Sequence, residues 1–102
     1  IVKQEELVLG PFQGPLACTR IQKGKGVCGK VWATQQSIIV PDVDAFEGHI
    51  ACSAASKSEI VIPLMHQEKV MAVLDVDSEH LNYFDEIDEL YLSKIVALIS
   101  LA

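Results

Sequence analysis

Basic residues are scarce in this sequence, and they are not clustered. The 102 residues contain eight Lys and Arg against fourteen Asp and Glu, which gives a formal net charge of −6 at pH 7. A protein that binds nucleic acid usually presents a clustered basic face to the phosphates. The composition therefore argues against a nucleic-acid partner.

Long hydrophobic runs are lacking as well. The longest apolar stretches fall far short of the ~18 residues that a membrane-spanning helix needs. The first residues, IVKQEE, offer neither the basic start nor the apolar core of a signal peptide. We therefore expect no membrane partner and a cytoplasmic location. Because the sequence does not begin with Met, we also expect it to start inside a longer chain.

A Cys-x-x-Cys pair is absent, although three cysteines are present: Cys18, Cys28 and Cys52. Structural zinc sites usually contain such a pair, so we expect no metal site. A purely structural disulfide framework would leave one thiol over, and disulfides in the cytosol are mostly transient and catalytic. Each cysteine lies among glycines or small residues, which leaves its sulfur approachable for thiol chemistry.

The glycine spacing of a dinucleotide-binding fingerprint is present, but the sequence features that should accompany it are not. Residues 24–29 (GKGVCG) match the spacing Gly-x-Gly-x-x-Gly. That fingerprint requires a βαβ unit and an acidic residue for the ribose, and neither accompanies the glycines here. We therefore do not interpret these residues as a nucleotide site.

The hydrophobic pattern predicts an α+β domain over residues 1–102, since half of the residues are hydrophobic and a packed core is possible. Alternation and turn residues predict strands over residues 5–9, 16–21, 37–40, 59–65 and 70–76. Helical spacing predicts a glycine-started helix over residues 24–36 and a second helix from residue 85. Residues 42–57 read as a long loop with one short helix at 51–55. This order favours an antiparallel sheet with helices packed on it.

Three acidic residues are predicted to lie close together. Asp75 and Asp77 are two apart on one strand, so their side chains share a face of the sheet. The turn at 66–69 makes an antiparallel hairpin in which Glu59 lies beside them. Like charges at close range favour a bound cation or a retained proton, and both suit a site for general acid catalysis or an ammonium group. The alternative is that these acids simply end strands in solvent.

Cys52 is the best candidate for a nucleophile. It precedes Glu59 by seven residues, so its loop can reach the same end of the sheet, and its neighbours are small. If a short helix starts there, its N–H groups would stabilise the thiolate. The alternative is a buried structural cysteine. His49 could serve as its base, although a histidine in a loop is more often an ordinary surface residue.

Several long stretches resemble one known family. They are residues 6–18 (ELVLGPFQGPLAC), 24–29 (GKGVCG), 40–52 (VPDVDAFEGHIAC), 58–63 (SEIVIP), 73–78 (VLDVDS) and 84–88 (FDEID). Together they are similar to the free methionine-(R)-sulfoxide reductases, a catalytic branch of the GAF domain fold. The resemblance covers nearly the whole sequence.

The resemblance implies an enzyme that reduces free methionine-(R)-sulfoxide to methionine without a bound cofactor, recycled by thioredoxin and ultimately by NADPH. By position, Cys52 matches the catalytic cysteine, Cys18 the resolving cysteine, and Cys28 a third cysteine that can assist recycling. The carboxylates that bind the substrate are matched by Glu59, Asp75 and Asp77. The family is commonly homodimeric.

The resemblance also implies that this sequence lacks the N-terminal part of the family's domain, and it leaves an alternative function open. The family's domain has an N-terminal helix and further strands before the position of Ile1, so we expect this sequence to be the C-terminal portion of a GAF-like domain. The aromatic residues that wall the substrate methyl group would lie in that earlier part. The truncated chain could then be inactive alone. The alternative function is a non-catalytic GAF sensor that binds a small molecule.

Overall fold

A long β-hairpin is the centre of the fold in the computed structural model, which describes residues 1–3, 6–8, 20–46, 48 and 56–98. In chain order the elements are β1 (Val2–Lys3), β2 (Glu6–Val8), β3 (Arg20–Gln22), α1 (Gly26–Thr34), β4 (Ile38–Val40), a short 3₁₀ turn (Val43–Ala45), β5 (Ser58–His66), β6 (Lys69–Ser78) and α2 (Glu86–Val96).

The described strands form two antiparallel sheets of three strands each, ordered β1-β2-β3 and β4-β5-β6. The two sheets meet where β1 contacts β6. The sequence predicted the antiparallel arrangement and the α+β class, and the structure confirms both. It did not predict β1, because two residues are too few to show an alternating pattern.

The β5–β6 hairpin turns tightly between His66 and Lys69, which pair with each other. The two residues between them, Gln67 and Glu68, have φ values of 51° and 66°. Positive φ at both central residues is typical of the type I′ turn, whose twist matches that of the strands. At the turn, each strand therefore extends one residue further than predicted: β5 to His66 and β6 from Lys69, against predicted ends at residues 65 and 70.

Two apolar cores lie on opposite faces of the β4-β5-β6 sheet. On one face, α1 packs Val27, Val31 and Trp32 against Val61 and other strand residues. On the other face, a second set of buried side chains meets Phe84 and the helix α2: Ile60, Ile62, Leu64, Ala72 and Val96. Because side chains alternate along a strand, neighbouring residues of β5 belong to different cores.

Helix α2 begins at a well-formed N-cap. The Asp85 side chain accepts hydrogen bonds from the N–H groups of Ile87 and Asp88, and the Asp88 side chain accepts one from the N–H of Asp85. This reciprocal pair is a capping box. The apolar face expected for this helix is only partly covered, since five large side chains are exposed: Ile87, Leu90, Tyr91, Ile95 and Leu98.

None of the helices in the described ranges is long and apolar enough to cross a membrane. The predicted short helix at residues 51–55 and most of the predicted strand at 16–21 lie outside the described residues.

Candidate active site

The acidic residues singled out in the sequence converge at the open end of the hairpin. Glu59 pairs with Asp77, and Asp75 pairs with Val61 two positions further along. On its other side, Glu59 pairs with Val40 of β4. Directly opposite residues of an antiparallel pair point to the same face, so all three acids face the side on which α1 packs.

A β-bulge decides which face these acids occupy. Near the turn Met65 pairs with Val70, whereas one step further Leu64 pairs with Ala72, so Met71 is an extra residue in β6. With uninterrupted pairing from the turn, Glu59 would lie opposite Val76, and both aspartates would face α2 instead. A one-residue change of register exchanges the two faces of a strand. The bulge therefore brings the three acids to one face.

Helix α1 adds the thiol of Cys28 to this group. A tight turn at Gly24 (φ +82°) leads into the helix, and Gly29 lies so close to the turn that an added Cβ would be 2.6 Å from the backbone oxygen of Gln22. Glycine is required at such a close approach because any side chain would displace the backbone. The first turn of α1 is thereby held against the sheet with Cys28 facing β6.

The four groups form one contact cluster. The Cys28 sulfur donates a hydrogen bond to Asp75 Oδ2 at 3.4 Å. The sulfur and one carboxyl oxygen each from Glu59 and Asp75 all lie within 4.8 Å of one another. Glu59 is only 5% exposed and Cys28 only 8%, whereas the two aspartates are open to solvent. The cluster is thus buried at its base and accessible at its rim.

This environment raises the pKa of three groups. Burial raises the pKa of Glu59 from 4.5 to about 10, with a hydrogen bond to Asp75 and its charge as further causes. Desolvation also raises the pKa of Asp77 to about 7, because its carboxyl lies among protein atoms although much of the side chain is accessible. Burial and the charge of Asp75 raise the pKa of the Cys28 thiol well above its ordinary range. Near neutral pH the cluster therefore holds protons that solvent-exposed acids would release.

Comparisons with known proteins give this arrangement a family. A sequence model of the GAF domain matches residues 2–102. The chain is 48% identical to the free methionine-R-sulfoxide reductase of Escherichia coli over 95% of its own length and 59% of that protein's. The chain belongs to the GAF-domain family of free methionine-(R)-sulfoxide reductases. The resemblance identified in the sequence is confirmed.

Two further relatives agree with this family. GAF domain-containing protein A of Dictyostelium discoideum is 62% identical over 94% of this chain and 61% of its own length. The X-ray structure of the Neisseria meningitidis free methionine-R-sulfoxide reductase, in complex with its substrate, is 59% identical and superimposes with a TM-score of 0.89. It is matched over 90% of this chain and 55% of its own. The chain thus spans between about half and three fifths of the length of these relatives.

The family's reductase activity draws attention to Cys52, which lies outside the described residues together with Cys18 and His49. The described chain resumes at residue 56. Lys57 donates its N–H to the oxygen of Ser78 at 2.7 Å and accepts a hydrogen bond from the N–H of Val43 at 2.9 Å. Lys57 therefore lies at the same end of the hairpin as the three acids.

The cluster could in principle hold a metal ion, because one sulfur and two carboxyl groups at this spacing can converge on a cation. Each of these ligands must lose its proton before it can bind a metal. The raised pKa values of Cys28 and Glu59 oppose that loss. The protonated cluster is better suited to hydrogen bonding and proton donation.

The contact between Cys28 and the acids was not predicted from the sequence. The match to the family gave Cys28 a place among the redox cysteines, and nothing in its spacing related it to Asp75. One signal was available: Cys28 precedes Gly29 in a glycine-rich helix start, where a helix can approach a sheet closely.

Proposed function

We propose that this protein reduces free L-methionine-(R)-sulfoxide to methionine by thiol chemistry at Cys52. The observation that carries the proposal is the group of three carboxyls on one face of the hairpin, of which Glu59 holds its proton at neutral pH. A protonated carboxyl can donate to the sulfoxide oxygen, while a charged one can bind an ammonium group. Free methionine sulfoxide offers both groups.

In the proposed reaction the Cys52 thiolate attacks the electrophilic sulfur of the sulfoxide. The Glu59 carboxyl donates a hydrogen bond or a proton to the departing oxygen. The attack forms a bond between the two sulfurs; this bond and the S–O bond then break as the protonated oxygen passes to the Cys52 sulfur, so methionine leaves with one electron pair and Cys52 becomes a sulfenic acid. The aspartates hold the substrate ammonium, which accounts for a preference for the free amino acid, because a residue within a peptide lacks that charge.

The cycle closes through the other cysteines. The sulfenic acid condenses with the Cys18 thiol, which forms a disulfide and releases water. Thioredoxin, reduced ultimately by NADPH, then reduces this disulfide by thiol exchange. We assign Cys28 as a third thiol that can assist recycling. No cofactor or metal needs to be bound, and we propose a cytoplasmic homodimer in which residues 1–102 are the C-terminal portion of a single GAF-like domain.

The chain length between fixed points supports a position for Cys52 near the acids. Cys52 is four residues from Gly48 and four from Ser56, both of which are described. Since an extended chain spans at most about 3.6 Å per residue, its Cα lies within about 14 Å of each. Lys57, which follows Ser56, donates its N–H to the oxygen of Ser78 at the end of the hairpin that carries the acids.

Turnover with each sulfoxide epimer tests the proposal. In the full natural chain, thioredoxin-coupled NADPH oxidation should proceed with free methionine-(R)-sulfoxide and not with the (S) epimer. Cys52→Ser should abolish it, because a hydroxyl cannot form the sulfenic acid. Ser56→Ala, in the same loop, is the control and should retain turnover. Equal rates for wild type and Cys52→Ser, or equal use of both epimers, would contradict the enzyme and favour the sensor.

A further inference from the structure

Cys28 stands out because its surroundings differ from those of a typical recycling thiol. A thiol that exchanges disulfides works best when it is accessible and readily ionised. Cys28 is only 8% exposed and lies between the apolar core below α1 and two carboxyl groups. Burial is the largest cause that raises its pKa, and the nearby acids raise it further. The sulfur therefore keeps its hydrogen at neutral pH.

A protonated thiol has one hydrogen to donate, and the structure shows where it goes. The donor–acceptor distance from Cys28 Sγ to Asp75 Oδ2 is 3.4 Å, a normal hydrogen-bond length for sulfur. Hydrogen bonding with Asp75 is also among the causes that raise the pKa of Glu59 and of Asp77. The side chain of Asp75 itself is open to solvent. An exposed carboxylate turns towards water unless other groups fix it, and here the neighbouring groups are a thiol from α1, the Glu59 carboxyl from β5 and the Asp77 carboxyl on the same strand.

We propose that Cys28 is a positioning residue, whose S–H holds the Asp75 carboxylate beside Glu59 in the arrangement that binds the substrate ammonium. This proposal rests on the proposed function for the identity of the ligand. The positioning contact itself stands independently of that function. It also assigns Cys28 a task in the reduced protein, before any disulfide has formed.

A pair of substitutions separates positioning from recycling. Cys28→Ser keeps a hydrogen-bond donor at nearly the same place, whereas Cys28→Ala removes it with little change in volume. In the full chain with dithiothreitol as reductant, we expect Cys28→Ala to raise KM for free methionine-(R)-sulfoxide about fivefold, the effect of losing one hydrogen bond. Cys28→Ser should restore a KM close to that of the wild type.

A recycling role predicts a different pattern, because serine and alanine are equally unable to form a disulfide. If Cys28 served recycling alone, both variants would lower kcat with thioredoxin to the same extent, KM for the sulfoxide would not rise, and kcat/KM would stay unchanged because the first half-reaction does not use Cys28. An unchanged KM in Cys28→Ala, or an equal rise in KM in both variants, would overturn the positioning role.

An infrared measurement tests the contact without any turnover. In a Cys18→Ser/Cys52→Ser variant, Cys28 is the sole thiol among residues 1–102. We expect its S–H stretching band to lie at lower frequency than that of a free thiol in water, as for a donor to a carboxylate. Asp75→Asn should shift the band back towards the position of a weakly bonded thiol. A band that is the same in both proteins would overturn the proposal, even if the protein proves to have no reductase activity.

Discussion

The two faces of the β4-β5-β6 sheet are built from alternate residues of the same strands, yet they carry different chemistry. The face towards α2 is apolar along the middle of β5, with Ile60, Ile62 and Leu64 buried. The face towards α1 is apolar near the turn and acidic at the open end, where Glu59 is buried beside two aspartates and a thiol. One face is a packing surface, and the other combines packing with a cluster of titratable groups.

The difference shows where this fold carries a destabilising arrangement. Burying a carboxyl with other acids is unfavourable in its charged form, and the raised pKa of Glu59 measures that cost. Such clusters are found where a function requires them. Residues of the α2 face should therefore affect stability alone, and those of the α1 face stability together with chemistry and pH dependence.

The largest effect on stability should come from truncating a buried side chain on the α2 face. Ile60 is fully buried (0% exposed). Ile60→Ala should lower the free energy of unfolding by about 2–5 kcal/mol through lost burial and the cavity that remains. Urea denaturation measures this. Ile87→Ala, at an exposed position of α2, is the control and should change stability by less than about 0.5 kcal/mol. A loss below about 1 kcal/mol for Ile60→Ala would contradict the assignment of this face as a close-packed core.

A smaller effect is expected where α1 approaches the other face. An alanine in a helix normally stabilises it by up to about 1 kcal/mol relative to glycine. Gly29→Ala should do the opposite, with a loss of about 1–3 kcal/mol, because its Cβ would meet the Gln22 backbone oxygen. The shift of α1 should also weaken the Cys28–Asp75 contact and raise KM.

The control is Thr34→Ala, at an exposed position of the same helix, which should stay within about 0.5 kcal/mol of the wild type by thermal unfolding. If Gly29→Ala stabilises the protein, the close approach of α1 to the turn at Gly24 is not the constraint that holds Cys28 in place.

The pH dependence of the free energy of unfolding should also distinguish the acidic α1 face from the apolar α2 face. The pKa of Glu59 lies at about 10 in the folded protein, above its ordinary 4.5. Between these values the folded state binds a proton that the unfolded state releases, so stability falls as pH rises. The slope for one proton is at most about 1.4 kcal/mol per pH unit. Glu59→Gln should remove this part of the slope between pH 6 and 9, as measured by urea denaturation.

The control for this series is Glu79→Gln, which replaces an exposed acid near the end of β6 and should keep the wild-type slope. Asp77 adds a second, smaller contribution below its pKa of about 7, so some decline from pH 5 to 7 should remain in Glu59→Gln. Identical slopes in Glu59→Gln and the wild type would show that Glu59 is ionised in the folded protein.

The sequence predicted the fold class, the hairpin and the meeting of the three acids, because strand alternation and a short polar turn determine them. It predicted the exact pairing less well. Uninterrupted pairing from the turn places Glu59 opposite Val76, whereas the structure pairs Glu59 with Asp77. The bulge that makes the difference lies in a run of five apolar residues, 70–74, where alternation gives no sign of which face a residue takes.

The inclusion of Cys28 in the cluster depends on packing between distant parts of the chain. Cys28 and Asp75 are 47 positions apart in the sequence, on a helix and a strand with no shared pattern. Their contact depends on how closely α1 packs, and the backbone approach of Gly29 to Gln22 is one such close contact. Sequence periodicity predicts which residues of a helix or strand face the core. It does not predict how that element packs against a neighbouring one.

The extra residue at Met71 gives the two strands of the hairpin unequal tolerance to changes in length. Loss of one residue between 71 and 74 could be absorbed by straightening β6, and Asp75 and Asp77 would still point towards α1. β5 contains no extra residue of this kind. Loss of one residue between 60 and 64 would therefore turn Glu59 to the side of α2. Across related genes, single-codon deletions should therefore be found in β6 and be rare in β5.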